Sequence, residues 1–469
     1  MQRSDLEKLS KDKLIDIILT LQNQIQTMTQ KITELETRLN MNSTNSSKPP
    51  SMDIWKKPKP TRQKTDKKPG AQPKHKGHGL KIERQPNQTI THKPQNCKHC
   101  QTNLTQIQGT QTDTRYKIDI QIQTNLTQHN QITTTCPNCQ TQNPAAFPSD
   151  LTSTIQYGEG VKAISVLFTH YAMVSYDKTQ KILQDIFDIP ISTGTIVNHV
   201  SEFTQKAEPV LNEIPQRLQG ESVLNFDETG LYVDGDKQWL HTASSGGATY
   251  VTVHPKRGQV GTDDNGVLAG FGGVAVHDCW QAYLKYENCS HALCNAHLLR
   301  ELQGVVENTG QGWAVWMMDF LRRVKGVVKC CKEAGECELP VGCCEAFVEE
   351  YEQIVELGLQ ENPLVVGVRK RSKTRCLLDR FIVYRGEVLR FVFDFRVPFD
   401  NNLAERDIRN VKVKQKVSGG FRSVQGAKNF GKIASIIGTV VKQKKSAYSA
   451  ISGIFTGTVT SLFQKSPYD

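Results

Sequence analysis

Val223-Leu-Asn-Phe-Asp227 and Val274-Ala-Val-His277-Asp278 are two apolar runs that each end in an acid. Between them lie 231–234, 239–243 and 250–254, rich in β-branched and aromatic residues and separated by Gly- and Asp-containing turns, which reads as consecutive strands. Helical patterning follows from about 292 to 329, so the central part of the chain is α/β. Two strands of one sheet, each delivering a carboxylate at its C-terminal end, form half of a site for hard divalent cations. Mg2+ or Mn2+ prefers such oxygens, and phosphoryl transfer uses two ions roughly 3.5–4 Å apart.

A third acid is expected from a helix packed on that sheet. The candidate segment is Asp400-Asn-Asn-Leu-Ala-Glu-Arg-Asp-Ile-Arg409. Asn402, Glu405, Arg409, Lys412 and Lys416 are spaced 3, 4, 3 and 4 and so share one helix face. A single carboxylate among cations suits a site that holds metal and a DNA backbone together; a solvated face with a salt-bridged Glu is the alternative.

The rest of the chain divides by composition. Its 469 residues exceed what one core organises, and the net charge of +11 is uneven. Residues 48–84 hold twelve Lys/Arg against three acids, and 401–445 hold eleven against two. Two basic segments on an otherwise acidic chain point to a polyanion partner. Leu14, Ile18, Leu21, Ile25, Met28, Ile32, Leu35 and Leu39 alternate steps of four and three. That is the seam of a coiled coil, and predicts self-association over docking on the chain's own domain. Cys97-Lys-His-Cys100 and Cys136-Pro-Asn-Cys139 are C-x2-C turns 35 residues apart in a stretch poor in apolar residues. Four thiolates in two such turns suit tetrahedral Zn2+. The thirteen cysteines, with a charged N-terminus and no apolar run of spanning length, predict reduced thiols in a soluble cytoplasmic protein without a membrane partner. Residues 178–187 and 193–203, broken at Asp188-Ile-Pro190 with Ser192 as N-cap, read either as a helix-turn-helix or as a plain helical hairpin.

These segments, taken in order, resemble the insertion sequence 66 family of bacterial transposases over nearly the whole chain. The resemblance is carried by Asn45-Ser-Ser-Lys-Pro-Pro-Ser51, Lys68-Pro-Gly70 with Gly77-His-Gly79, the C-x2-C pair, Asp227-Glu-Thr229, His277-Asp-Cys-Trp280, His291-Ala-Leu-Cys-Asn-Ala-His297 with Arg300-Glu-Leu302, and Asn401-Asn-Leu-Ala-Glu-Arg406. It implies a multidomain α/β protein with an RNase H-like catalytic core over 216–430 and a helical insertion at about 300–378. Around that core it implies a coiled coil (1–40), a basic linker (41–88), a zinc module (89–150), a helical region (151–215) and a C-terminal helical segment (431–469). Asp227, Asp278 and Glu405 fall where such enzymes carry a DDE triad, with Glu228, Asp400 and Asp407 as competing assignments. Cys294 and His297 match a C-x2-H pattern that braces the core or positions substrate. The implied activity is metal-dependent cleavage at terminal inverted repeats and strand transfer into target DNA, with companion proteins encoded by the same element. Arg406, Arg409, Lys412, Lys414 and Lys416 are expected at the DNA backbone near the site, and Lys56, Lys57, Lys59, Lys67 and Lys68 at DNA less specifically.

Residues 330–361, with nine Glu, one Lys and five irregularly spaced cysteines, match nothing in that family. Two rival readings remain at this stage: a DNA-binding regulator without catalysis, and an inactive transposase copy.

Overall fold

The computed structural model describes residues 10–46, 53, 82, 84–364 and 371–463. Lys56, Lys57, Lys59, Lys67 and Lys68 lie outside the described residues. The chain divides into two compact units, Pro60–Asn125 and the remainder, with the boundary between the two C-x2-C turns.

Each turn is built the same way within its own unit. Cys97 N–H donates to the Thr102 carbonyl (2.9 Å) and Gln101 N–H to the Cys97 carbonyl (3.0 Å), with Gln101 at φ 59°. Cys136, Gln140 and Thr141 repeat this at 2.9, 2.9 Å and φ 59°. The second turn joins an antiparallel pair, β1 (Thr133–Thr135) and β2 (Gln142–Pro144).

In the larger unit, α1 (Lys11–Asn40) starts at Ser10, whose side chain accepts from Lys13 N–H. Its stripe Ile18, Leu21, Ile25, Met28, Ile32, Leu35 and Leu39 is exposed in the single chain. The loop after it docks on the core through Asn45 and Ser46, both buried. Then come α2 (Glu159–Val166), α3 (Tyr176–Phe187), α4 (Thr193–Lys206) and α5 (Glu208–Gln219). Ser192 caps α4 by accepting from Thr195 N–H (3.0 Å), and Asp188 ends α3 in the left-handed region.

The sheet is mixed. β3 (Val223–Val233), β4 (Asp236–Ser244) and β5 (Thr249–His254) form an antiparallel meander. β6 (Val274–His277) pairs parallel with β3, and β7 (Ser290–Leu293) parallel with β6, giving the order β5-β4-β3-β6-β7. Two expectations change here. Residues 231–234 are no separate strand, because β3 runs on through Asp227 and pairs with β4 from Asn225 to Val233. Helix also starts later than 292: residues 290–293 pair with β6, and the short α6 (Gln259–Asn265) precedes that half of the sheet.

Five helices separate β7 from the third acid: α7 (Asn295–Thr309), α8 (Gly312–Glu333), α9 (Cys343–Glu361), α10 (Lys373–Val383) and α11 (Arg385–Phe393). Trp313, Met317, Phe320, Tyr351, Leu378 and Phe381 fill their shared core. α12 (Asn402–Ser418) then returns to β3 and β4, α13 (Val424–Lys442) covers the edge strand β5, and α14 (Ala447–Thr456) closes the helical layer. An exposed strand edge invites pairing, and here helix hydroxyls block it: Val251 N–H donates to Ser435 Oγ (2.8 Å) and Thr249 N–H to Thr439 Oγ1 (3.1 Å). No helix among the described residues is long and apolar enough to cross a membrane.

One buried pair fixes α12 on the sheet. Asn401, 1% exposed, donates its amide to the Phe226 carbonyl (2.8 Å) and accepts from the Asn225 amide (2.8 Å). Its backbone N–H donates to Cys294 Sγ (3.2 Å). Asn401→Ala would strand the Asn225 amide and the Phe226 carbonyl in a buried site, at about 1–3 kcal/mol for each unmade bond. Denaturant unfolding should therefore show a loss of about 2–6 kcal/mol, against little change for an exposed control such as Asn402→Ala.

Candidate active site

The register of β3 and β6 places the first two acids. Asn225 pairs with Val276, so continuing by two residues puts Asp227 abreast of Asp278, just past the last parallel pair. Asp227 therefore stands at the C-terminal edge of the parallel half of the sheet rather than at the end of its strand. Alternation gives Asp227 the same face as Asn225, the face covered by α12, and turns Phe226 and Glu228 to the other. Asp227 Oδ1 accepts from Glu228 N–H (2.9 Å) and Asp278 Oδ1 from Trp280 N–H (3.0 Å).

Glu405 is in the first turn of α12, four residues after Asn401, whose carbonyl accepts its backbone N–H (3.2 Å). Its Oε1 is 3.9 Å from His297 Nδ1 and 3.9 Å from Arg300 Nη2, both on α7. Neither His297 Nδ1 nor Glu405 Oε1, both shielded from solvent, has a hydrogen-bond partner. Cys294 Sγ completes a group of three donors that lie within 4.8 Å of one another.

The competing acids are engaged elsewhere. Glu228 is fully buried on the opposite face, accepting from the Tyr283 hydroxyl and pairing with Arg257 Nη2 at 2.7 Å. Arg257 is stacked between Trp280 (3.9 Å) and Trp239 (4.9 Å). Asp407 takes Lys442 Nζ (2.6 Å), Ser244 Oγ (2.5 Å) and Thr249 Oγ1 (2.9 Å), and Asp400 pairs with Lys325 (3.5 Å). Behind Asp278, the buried His277 hydrogen-bonds His291 through Nε2 and Nδ1 (2.9 Å) and stacks on Tyr283.

Electrostatics mark the paired acids as a site that lacks a counter-charge. Burial, then the charges of Glu228, Asp278 and Glu405, push the Asp227 carboxyl well above its usual range. Burial and Glu228 raise Asp278 to about 6. In the structural ion pairs a cation sits within hydrogen-bond distance; among the described residues no such pair involves Asp227 or Asp278, and Arg257, bonded to Glu228, only partly offsets the charge of Asp278.

The expected row of DNA-binding cations is partly reassigned. Arg406, Arg409 and Lys416 are exposed. Lys412 donates to the Gly230 carbonyl across the sheet end. Lys414 faces inward: it continues the buried stripe Ala404, Ile408, Val411, is 4% exposed, and donates to the Thr169 carbonyl (3.2 Å) beneath the Tyr176 ring. Burial lowers it to about 8, and it is withdrawn from any DNA surface. Sequence reasoning missed Asn225 and Arg257. Asn225 had a signal, a polar residue inside an apolar strand that must find a partner; Arg257 had none.

A carboxyl whose folded pKa is raised binds its proton more tightly in the native than in the unfolded state. Its contribution to stability is therefore lost as pH rises from the ordinary value near 3.8 to about 6. In the absence of divalent ions, wild type should lose on the order of 1–3 kcal/mol relative to Asp278→Asn over that interval, read from paired Tm-versus-pH curves. Addition of Mg2+ should close the gap at pH 7.

The comparisons agree with this architecture in extent. The profile described as Transposase IS66 family matches residues 154–429, from the α2 region to α13, and so spans all three acids. A second profile, Family of unknown function (DUF6444), matches residues 3–81. No curated protein matches the chain. With more than half of its length matched, the chain belongs to the IS66 family of transposases.

Proposed function

We propose that the chain is a DDE-type transposase that cleaves DNA at the ends of an insertion sequence and joins them to target DNA. The observation that carries this reading is the lateral register of Asp227 and Asp278, with Glu405 brought to the same face by α12. The strand order β5-β4-β3-β6-β7, three antiparallel strands followed by two parallel ones, supports an RNase H-like core interrupted by five helices before the last acid.

The donor set fits hard divalent ions, Mg2+ or Mn2+: carboxylates whose pKa is raised by burial and by neighbouring acids have the chemistry of a cation site. Asp227, Asp278 and Glu405 would hold the ions. Bound there, such ions activate a water or 3′-hydroxyl and neutralise the leaving oxygen in the displacement at phosphorus. The chain's own part is positional. The Asn225–Asn401 pair sets the height of Glu405, and the Glu228–Arg257–Tyr283 cluster stiffens the far side of β3. Arg406, Arg409 and Lys416 offer charges to the phosphate backbone on the exposed side of α12, and the basic segment 48–84 would add less specific contacts. A pure DNA-binding regulator has no use for the buried acids.

The two C-x2-C turns support a zinc reading. In each, the second cysteine lies beside a threonine hydroxyl, Cys100 Sγ at 3.1 Å from Thr102 and Cys139 Sγ at 3.2 Å from Thr141. These contacts pull both thiols down, Cys100 to about 7, toward the thiolate that binds Zn2+. The exposed seam of α1 supports a homo-oligomer that holds two transposon ends in one assembly. The partners on this reading are terminal inverted repeats, target DNA and companion proteins of the same element, in the bacterial cytoplasm.

Two outcomes test the proposal. Mg2+-dependent nicking of a terminal-repeat duplex should fall at least about a thousandfold in Asp227→Asn and in Glu405→Gln, with gel-shift affinity within a few-fold of wild type. Undiminished cleavage in both variants would remove the triad. Zinc measured by atomic absorption should drop in Cys97→Ser/Cys136→Ser, and unchanged zinc would remove the knuckle assignment.

A further inference from the structure

Cys294, His297 and Glu405 lie together with no hydrogen bond among the three side chains that explains it. Their donor atoms, a thiol sulfur, an imidazole nitrogen and a carboxylate oxygen, all fall within 4.8 Å of one another. His297 Nδ1 and Glu405 Oε1 face each other at 3.9 Å, too far to bond, and both are shielded from water without a partner. Two buried polar atoms without hydrogen bonds, 3.9 Å apart, are costly unless a third group sits between them. The backbone supports the sulfur from the other side. Cys294 is the N-cap of α7, a fifteen-residue helix, and Asn401 N–H donates to its Sγ at 3.2 Å. Burial pushes the Cys294 thiol up to about 12, and the Asn401 N–H offsets this only in part, so a bound cation would have to displace the thiol proton.

We propose that Cys294, His297 and Glu405 form a binding site for a borderline divalent cation of the Zn2+ class, which shares Glu405 with the proposed hard-ion site at Asp227 and Asp278. Sulfur and imidazole exclude Mg2+, which takes oxygen ligands, and suit Zn2+ or Co2+; three protein donors leave one coordination position open. Binding exchanges the Cys294 thiol proton, released to solvent, for the metal–sulfur bond. Arg300 Nη2 lies 3.9 Å from the same Glu405 oxygen with its side chain 31% exposed, and a bound ion would replace it as the counter-charge of Glu405. Occupation of this site commits Glu405, so a soft ion here competes with the hard ions for the third acid. That consequence rests on the catalytic assignment of Glu405 above, whereas the site itself does not.

Co2+ titration of the metal-free full-length chain, read as the difference between wild type and Cys294→Ser so that the C-x2-C turns common to both cancel, tests the site without DNA or turnover. Wild type should bind one equivalent of Co2+ more than Cys294→Ser, with an additional thiolate-to-cobalt absorption band that the variant lacks. His297→Gln should weaken Co2+ binding by more than the roughly hundredfold that loss of an outer-shell partner can cost. Circular dichroism of each variant identifies a fold defect, and His297→Gln provides the reading if Cys294→Ser fails to fold. The same band and stoichiometry in both variants would overturn the proposal. Because the titration contains no substrate, its failure leaves the triad standing, and cleavage by Asp227→Asn would remove the triad without touching this site.

Discussion

The geometry depends most on a side-chain amide pair, Asn225 with Asn401. It joins the central strand to the first residue before α12, two positions short of Asp227 on one side and four short of Glu405 on the other. Amide–amide hydrogen bonds are directional and, in a buried site, costly to leave unmade, so the pair fixes both the height and the rotation of α12 on the sheet. The Asn401 backbone adds Cys294 to the same junction. One buried cluster therefore sets the strand that carries the first acid, the helix that carries the third, and the start of the helix that carries His297.

Around this junction the molecule separates functions by face. On one side of β3, Asp227 looks toward Asp278 and Glu405, where burial and like charge keep the carboxyls poorly compensated. On the other side, Glu228 has Tyr283 and Arg257, and its charge is matched. Adjacent residues of one strand are thus divided into an under-compensated site and a satisfied support. Buried carboxyls without a matching cation are unfavourable for folding, and such a cluster at a strand edge marks a candidate functional site.

The paired acids were legible in the sequence because period-2 alternation and a run ending in Asp are local signals; the register that aligns them is set by the tertiary pairing of β3 with β6. Strand β7 was not legible, since four residues beginning Ser-His carry no alternation strong enough to stand against the helix that follows. The spacing of Arg409, Lys412 and Lys416 places them on one face of α12, and all three are exposed. Lys414, expected at the DNA backbone, instead extends the apolar stripe of Ala404, Ile408 and Val411, because a lysine's type does not show which face its position takes. The apolar seam of α1 was visible as an unbroken heptad, and it is exposed in the single chain. The partners of Asn225 and Glu228 come from segments far along the chain, which no local pattern encodes.

The central claim is that ions held by these acids touch the phosphate that is cleaved. Sulfur substituted for a non-bridging oxygen at the scissile phosphodiester of a terminal-repeat duplex tests it most directly, since Mg2+ binds sulfur poorly and Mn2+ tolerates it. The account predicts that cleavage of the modified duplex is lost in Mg2+ and restored in Mn2+. Equal cleavage of modified and unmodified DNA in Mg2+, or a loss that Mn2+ leaves uncorrected, would contradict it.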